Sequence, residues 1–316
     1  MKNYSIRKYQ PTDYNLWNQF VDDAKNATFL FHRDFMEYHS DRFEDFSLLI
    51  FDKKEKLAAI VPANISGKEV ISHQGLTYGG LVLNKNLGGD TVNELLSALL
   101  LFLKNNGIET FKIKMLPNFY STIGNIGLDY FLFQKGAEIY RRDMNLMIDY
   151  SQPVQIHKSK LKHLKKYDEL NFSICEELTL KPFWEKVLVP RLEEKHQVKP
   201  VHTLGEIEKL KSDFPEKIRQ FSIYEGNDIL AGITVFEFDN GLKSQYGATT
   251  TRGADLRAMD FLFIHLIHKF EKEGKKFFDM GIVNEEEGKK YNKGLLKQKE
   301  ELGCTIYAQD YYKIIL

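Results

Sequence analysis

The chain has 316 residues, 43% of them apolar, with 23 Phe and 16 Tyr, which supplies two cores of ordinary domain size. Lys plus Arg and Asp plus Glu number 44 each, so no bulk charge draws the molecule onto phosphate backbones, and DNA binding is not expected. The two cysteines, Cys175 and Cys304, lie far apart with no CxxC and no nearby ligand pair. They read as small buried hydrophobes in a reducing compartment. No apolar run reaches membrane-spanning length, and the opening MKNYSIRKYQ is polar. A cytoplasmic protein without membrane insertion is expected.

Tyr4 to Lys8 alternates as an opening strand, and Pro11-Thr12-Asp13 starts a helix to about Ala24 with Leu16, Trp17, Phe20 and Val21 as its apolar stripe. The aromatic stretch FLFHRDFMEYHSDRF predicts a short helix packed on a sheet. Ser47 to Phe51 and Lys56 to Ala63 form a hairpin around Asp52–Glu55, and Lys68 to His73 extends the meander. GLTYGGLVL places Gly75, Gly79 and Gly80 around a strand edge, either as a bend or as a backbone wall beside a substrate that would include Tyr78. Asp90 is expected to cap a helix over residues 91–105 that Gly107 ends, and a strand follows at 110–115. An irregular corner at 117–120, a short helix ending by Gly136 and a strand at 139–148 complete a first half of residues 1–150.

The second half, 155–316, opens on the basic helix HKSKLKHLKKYDEL, whose Lys158, Lys160, Lys162, Lys165 and Lys166 read as a solvated face unless they border a cleft. A helix follows at 182–194. The loop HQVKPVHT then leads into a helix that Pro215 ends. From Lys217 the order is strand, strand, strand, helix, strand, helix, strand. The coarse order of the halves is alike, without a residue-level repeat. Together they define a mixed α/β (α+β) chain of two domains, each a twisted, mostly antiparallel sheet flanked by helices.

Chemistry concentrates in three places. Residues 245–255, QYGATTTRGAD, cross from a strand to a long helix. A helix start with Thr250, Arg252 and Gly253 beside it suits a phosphate or a polarised carbonyl, and ordinary capping by a threonine or Asp255 explains it equally. No GxGxxG or GxxxxGK[ST] occurs, so nucleotide folds lose their main support. In YNKGLLKQKEELG, Lys299 falls on the Leu295/Leu296 side at 100° per residue, away from the Lys293/Lys297 pair. It either leans its ammonium into a cleft or snorkels to solvent. His196 and His202 bracket Pro200 in a loop, with no Cys or HExxH partner to suggest a metal.

With these segments in place, the chain resembles the GNAT acyltransferase superfamily, and within it the two-domain FemABX-like branch. The resemblance rests on FDMG…EEEGKKYNKGLLKQKEELG, the QYGA strand, the KPVHT loop and SHQGLTYGGLVL, and runs over nearly the whole length. It implies transfer of an acyl or aminoacyl group to an amine, in a gap where two neighbouring strands splay apart. Those strands would be the one through Gln245, Tyr246, Gly247 and Ala248 and the one at 277–280. The usual glycine-rich pyrophosphate loop is reduced here to TTTRGAD, with one glycine. Seven residues beyond Asn292, where single-domain relatives carry a tyrosine, stands Lys299, in a K–x–x–x–G arrangement with Gly303 that looks like the FemABX branch. There a lysine is thought to stabilise charge on the transferring acyl group.

The resemblance therefore implies Lys299 as the catalytic group. Tyr246, Gly247, Ala248, Thr250, Arg252, Gly253 and Asn292 would sit on the donor side, and Gln245, His196, His202, Tyr78 and Asp279 on the acceptor side. No metal and no tightly bound cofactor is implied. The co-substrate is an acyl-CoA serving a small metabolite, amino acid or amino-sugar, or else a charged transfer RNA, with the basic helix as the surface that the RNA would need. A binding protein that keeps the fold without transfer is the third reading, and the general base and oligomeric state stay open.

Overall fold

The structure, a computed structural model, describes residues 4–121, 127–164 and 167–316. The chain divides into two compact units, Met1–Asp143 with Glu287–Lys289 and Ala308–Leu316, and Met144–Glu286 with Lys290–Tyr307. The end of the chain thus belongs to the first unit, where the sequence reading had kept it in the second. The cause is strand pairing: Tyr311 to Ile315 run antiparallel to Lys114 to Thr110.

The first unit builds strands β1 (Ser5–Lys8), β2 (Leu48–Phe51) and β3 (Leu57–Val61), with helix α1 (Tyr14–Asp23) between β1 and β2. It continues through β4 (Asn64–Ser66), β5 (Glu69–Ser72), β6 (Val82–Leu83), α2 (Gly89–Asn105), β7 (Thr110–Lys114) and α3 (Leu128–Gln134). Strands β1, β2, β3 and β6 form one antiparallel sheet. The expected meander through residues 68–73 stops at β3, because β4 and β5 leave for a second sheet in which β5 runs parallel to β7. Helix α2 starts two residues earlier than Asp90 suggested, with Gly88 at the cap and Asp90 inside the first turn. Its stripe of Val92, Leu95, Leu96, Leu99 and Leu103 is fully buried, as an apolar face repeating at three and four residues must be.

Strand β8 (Glu138–Asp149) leads into the second unit, which holds α4 (Lys158–Leu164), β9 (Phe172–Glu177), a helical run through Lys181–Phe183 and Trp184–Leu188 into α5 (Val189–His196), and α6 (Leu204–Asp213). Three long strands follow, β10 (Ile218–Glu225), β11 (Asp228–Glu237) and β12 (Gly241–Thr249), then α7 (Thr251–Asp255), α8 (Ala258–Lys272), β13 (Phe277–Ile282), α9 (Lys293–Glu301) and the start of β14 (Thr305–Ile315). The sheet order is β9-β10-β11-β12-β13-β8. All its neighbours are antiparallel except β12 and β13. Strand β9 is an addition to the sequence reading, which passed from the basic helix directly to the helix at 182–194.

Alternation decides which face of this sheet is oily. Phe221, Ile223, Ile233 and Val235 join Phe270 and Phe278 in the core under α8, with the Phe270 and Phe278 rings edge to face at 5.0 Å. The intervening Gln220, Ser222 and Thr234 are also fully buried and satisfy one another, Thr234 Oγ1 donating to Gln220 Oε1 at 2.7 Å. Above them the helical run takes a π turn over Trp184–Leu188, a form of helix often found beside functional sites. Among the described residues no helix is long and apolar enough to cross a membrane.

Candidate active site

Strands β12 and β13 are hydrogen-bonded side by side for only three residues, Gly241 with Phe277, Leu242 with Phe278 and Lys243 with Asp279. Beyond that point β12 runs on to Thr249 paired with β11 alone, while β13 continues paired with β8 alone. Each departure has a local cause. On β12 the register slips between Ser244 and Tyr246, leaving Gln245 as the extra residue of a β-bulge. On β13 the pairing with β8 slips between Asp279 and Ile282, where Gly281 takes a positive φ of 78°. Bulges increase local twist and end pairing, and here they open a wedge between two parallel neighbours.

Lys299, on α9, reaches the bend of β13 beside this wedge. It is 8% exposed, and its ammonium donates to the carbonyls of Gly281 at 3.0 Å and Ile282 at 3.1 Å. Burial pulls its pKa down to about 8, with Asp279 opposing that effect and Lys243 adding to it. Asp279 is fully buried. It accepts from the Gly281 amide at 2.6 Å, the Lys243 ammonium at 3.2 Å and Asn145 Nδ2 at 3.4 Å. A carboxylate so surrounded is an internal counter-ion rather than a base facing solvent.

Past the end of β12 lies a crevice of about 370 Å³. Thr249, Gly253, Arg257 and Met259 line one side, and Lys297 and Gln298 of α9 line the other. Arg257, exposed at the start of α8 in a left-handed conformation, was not singled out by the sequence, since one arginine in a polar stretch carries no periodic signal. Lys160 borders the same crevice and departs from the solvated face on which Lys158 and Lys162 stay exposed. It is 8% exposed, with its ammonium 2.8 and 2.9 Å from the two oxygens of Asp260 and 3.7 Å from Glu301. Lys165 and Lys166 lie outside the described residues.

The remaining expected residues fall into distinct settings. Gln245 stands at the bulge with Oε1 buried and no hydrogen-bond partner among the described residues, while Gly247 is exposed and Ala248 buried on the same strand. Tyr246 packs edge to face on Trp184 at 4.9 Å, and its hydroxyl meets Nδ1 of His202, whose amide also donates to it at 3.3 Å. The KPVHT loop is thereby fastened to β12. His196 ends α5, and its side chain lies outside the described residues. Tyr78 belongs to the first unit, where it is fully buried and donates to Thr28 Oγ1 at 3.0 Å.

The TTTRGAD crossing is largely occupied with itself. Thr250 Oγ1 accepts from the Gly253 amide at 3.0 Å, and Arg252 forks onto Glu225 at 3.0 and 3.1 Å. The chain then breaks at Arg257 before the long helix begins at Ala258. Asn292 likewise caps α9, accepting from Leu295 N at 2.9 Å and donating to Glu285 at 3.1 Å. Gly253 is required by space: a Cβ there would stand 2.3 Å from the Leu230 carbonyl oxygen and 2.5 Å from Thr249 Oγ1. Alanine normally gains about 1 kcal/mol over glycine inside a helix, and a clash with backbone outweighs that. Gly253→Ala is expected to lower unfolding stability by about 2 kcal/mol, read as an earlier urea midpoint at unchanged slope.

The fold is similar to that of solved proteins of FemX and tandem GNAT type. It matches FemX over 99% of this chain and 97% of that one, with a TM-score of 0.66 at 11% identity. L-PGS from Bacillus licheniformis matches over 97% and 92%, with a TM-score of 0.63 at 12% identity. A tandem GNAT protein from the clavulanic acid biosynthesis pathway matches over 99% and 98%, with a TM-score of 0.54 at 10% identity. No family model matches the sequence, and no curated protein matches it. Among the described residues no group of three or more His, Cys, Asp or Glu is placed to hold a metal ion.

Proposed function

We propose that the second unit transfers an acyl group from an activated donor to an amine, with the acyl carbonyl held in the wedge between β12 and β13. The observation that carries this reading is the parting of the two strands immediately beyond Lys243 and Asp279, with the Lys299 ammonium on the bend of β13 that follows. In the transfer the amine nitrogen bonds to the carbonyl carbon, the oxygen gains negative charge, and the bond to the thiol or ribose oxygen of the donor then breaks with its electron pair. The ammonium has three N–H groups. Two are spent on the Gly281 and Ile282 carbonyls, which leaves the third for the developing oxyanion, where a fixed charge in a dry site is worth most. The open edge of β12 offers backbone groups to align the donor. Asp279 is fully engaged, so the amine's proton is not assigned to it.

An acyl-CoA donor serving a small amine is the first reading, and an aminoacyl-transfer-RNA donor is the second. One observation favours the second: the Gly253 amide, which would face a pyrophosphate, is occupied by Thr250. Positive charge at the crevice comes instead from side chains, Arg257 and the largely exposed Lys297, which lies 4.0 Å from Glu301. Thermal unfolding with acetyl-CoA, longer acyl-CoA thioesters and charged transfer RNA separates the readings. The donor that serves the protein raises the midpoint, and Arg257→Glu cancels the rise. If none of these donors moves the midpoint, the third reading, binding without transfer, takes the lead.

A further inference from the structure

The charged cluster under the wedge contains one more cation than the transfer reading uses. Lys243 is the last residue of β12 still paired with β13, and it is only 9% exposed. Its ammonium lies 3.2 Å from Asp279 Oδ2. The other oxygen of the same carboxylate accepts the Gly281 amide at 2.6 Å. A Cβ at Gly281 would stand 3.6 Å from the Lys243 nitrogen, so that ammonium rests against the bend itself. The carbonyls that receive Lys299 belong to this bend and to the residue after it. A continuous chain of contacts therefore runs from Lys243 through Asp279 and Gly281 to Lys299.

We infer that Lys243 and Asp279 are a positioning pair: they fix the bend at Gly281 and so determine where the Lys299 ammonium sits and how firmly it holds its proton. The inference rests on the acyl-transfer reading for its purpose but not for its test. A cation buried beside a second cation is costly unless an anion stands between them, and Asp279 is that anion. The ionisable groups facing Lys299 are Asp279 from β13, Lys243 from β12 and Cys304 at the turn into β14. The Cys304 thiol is buried and pushed far above its ordinary range, so it stays neutral. Only Asp279 and Lys243 act on Lys299 as charges, and they act with opposite signs. Without Lys243, the carboxylate would pull on Lys299 unopposed and its proton would be held more tightly. Without the Asp279 charge, the two ammonium groups would repel and the proton would leave sooner. A pair that only braces the fold would produce no such opposition.

The test is a titration of lysine Cε resonances in the full chain with 13C-labelled lysine, no donor or acceptor being present. The Lys299 signal is identified by its loss in Lys299→Arg. In the unsubstituted protein its midpoint is expected at about 8. Lys243→Met is expected to raise that midpoint by roughly one pH unit, Lys243→Arg to keep it near the original value, and Asp279→Asn to lower it. If Asp279→Asn does not fold, the two Lys243 variants decide alone. A midpoint that stays or falls in Lys243→Met, or that moves alike in Lys243→Met and Lys243→Arg, overturns the inference. Because the readout needs no reaction, a protein that transfers nothing would defeat the proposed function and leave this result standing.

Discussion

Lys299→Met is expected to lower turnover by about 10²- to 10³-fold while donor affinity changes only a few-fold. Methionine keeps most of the length and volume of the lysine stem, so the α9 packing around it persists. The two bonds to Gly281 and Ile282 are lost with the ammonium, and so is the N–H left over from them, which is the part that bears on turnover. That group has little to bind in the ground state and an oxyanion to bind as the tetrahedral species forms, so its loss falls on kcat rather than on KM. Steady-state rates over a range of donor concentration, with donor Kd measured separately, make the distinction. An unchanged kcat with a raised Kd would reassign Lys299 to donor binding.

The second large effect is on stability. Lys299 has its pKa lowered from 10.5 to about 8 in the folded chain, chiefly by burial. Below pH 8 the ammonium is charged in both states, and the folded state bears the whole cost of burying it. Between 8 and 10.5 the unfolded chain holds the proton that the folded chain has released, so stability rises with pH through this window. At 1.36 kcal/mol per pH unit, the contribution amounts to about 3 kcal/mol. Other groups titrate in both proteins alike, so the comparison is between the native chain and Lys299→Met. Urea unfolding at pH 7 and pH 10.5 should show the gap between them moving toward the native chain by about that amount. A gap independent of pH would mean that the ammonium is solvated.

The fold is legible in the sequence because its signals repeat. The aliphatic stripe of α2, the alternation through β10 and β11 and the order of elements after Lys217 each extend over many residues. Strand β9 escapes because NFSICEE follows a basic helix closely and its burial alternates between exposed and half-exposed positions. It lies at the end of its sheet, paired on one side by β10. The start of α2 is misplaced because Asp90 is the stronger capping residue by type, while Gly88 has the extended backbone that the position needs.

At the candidate site, it is the family resemblance that points to Lys299, seven residues beyond Asn292, and to residues 245–248 before the crossing. The partners that shape them carry no such mark. Lys243, Lys160 and Arg257 look in the sequence like ordinary charges on polar stretches, and only the strand register and helix packing put them beside Asp279, Asp260 and the crevice. Tyr246 and His202 are each legible, but their meeting with one another and with Trp184, 18 or more residues away in order, is not. Residue type alone is equally ambiguous. Thr250 and Asn292 have the right residue type to hold a ligand, yet their side-chain oxygens cap their own helices, since an amide one turn away is always nearer than a ligand.

A crystal structure with a hydrolysis-resistant analogue of the donor that raises the unfolding midpoint tests the wedge most directly. The expected result is the analogue's carbonyl oxygen within hydrogen-bond reach of Lys299 Nζ, with its chain running along the unpaired edge of β12 toward Arg257. An analogue whose carbonyl lies outside the gap, with Lys299 still bonded only to Gly281 and Ile282, would contradict it.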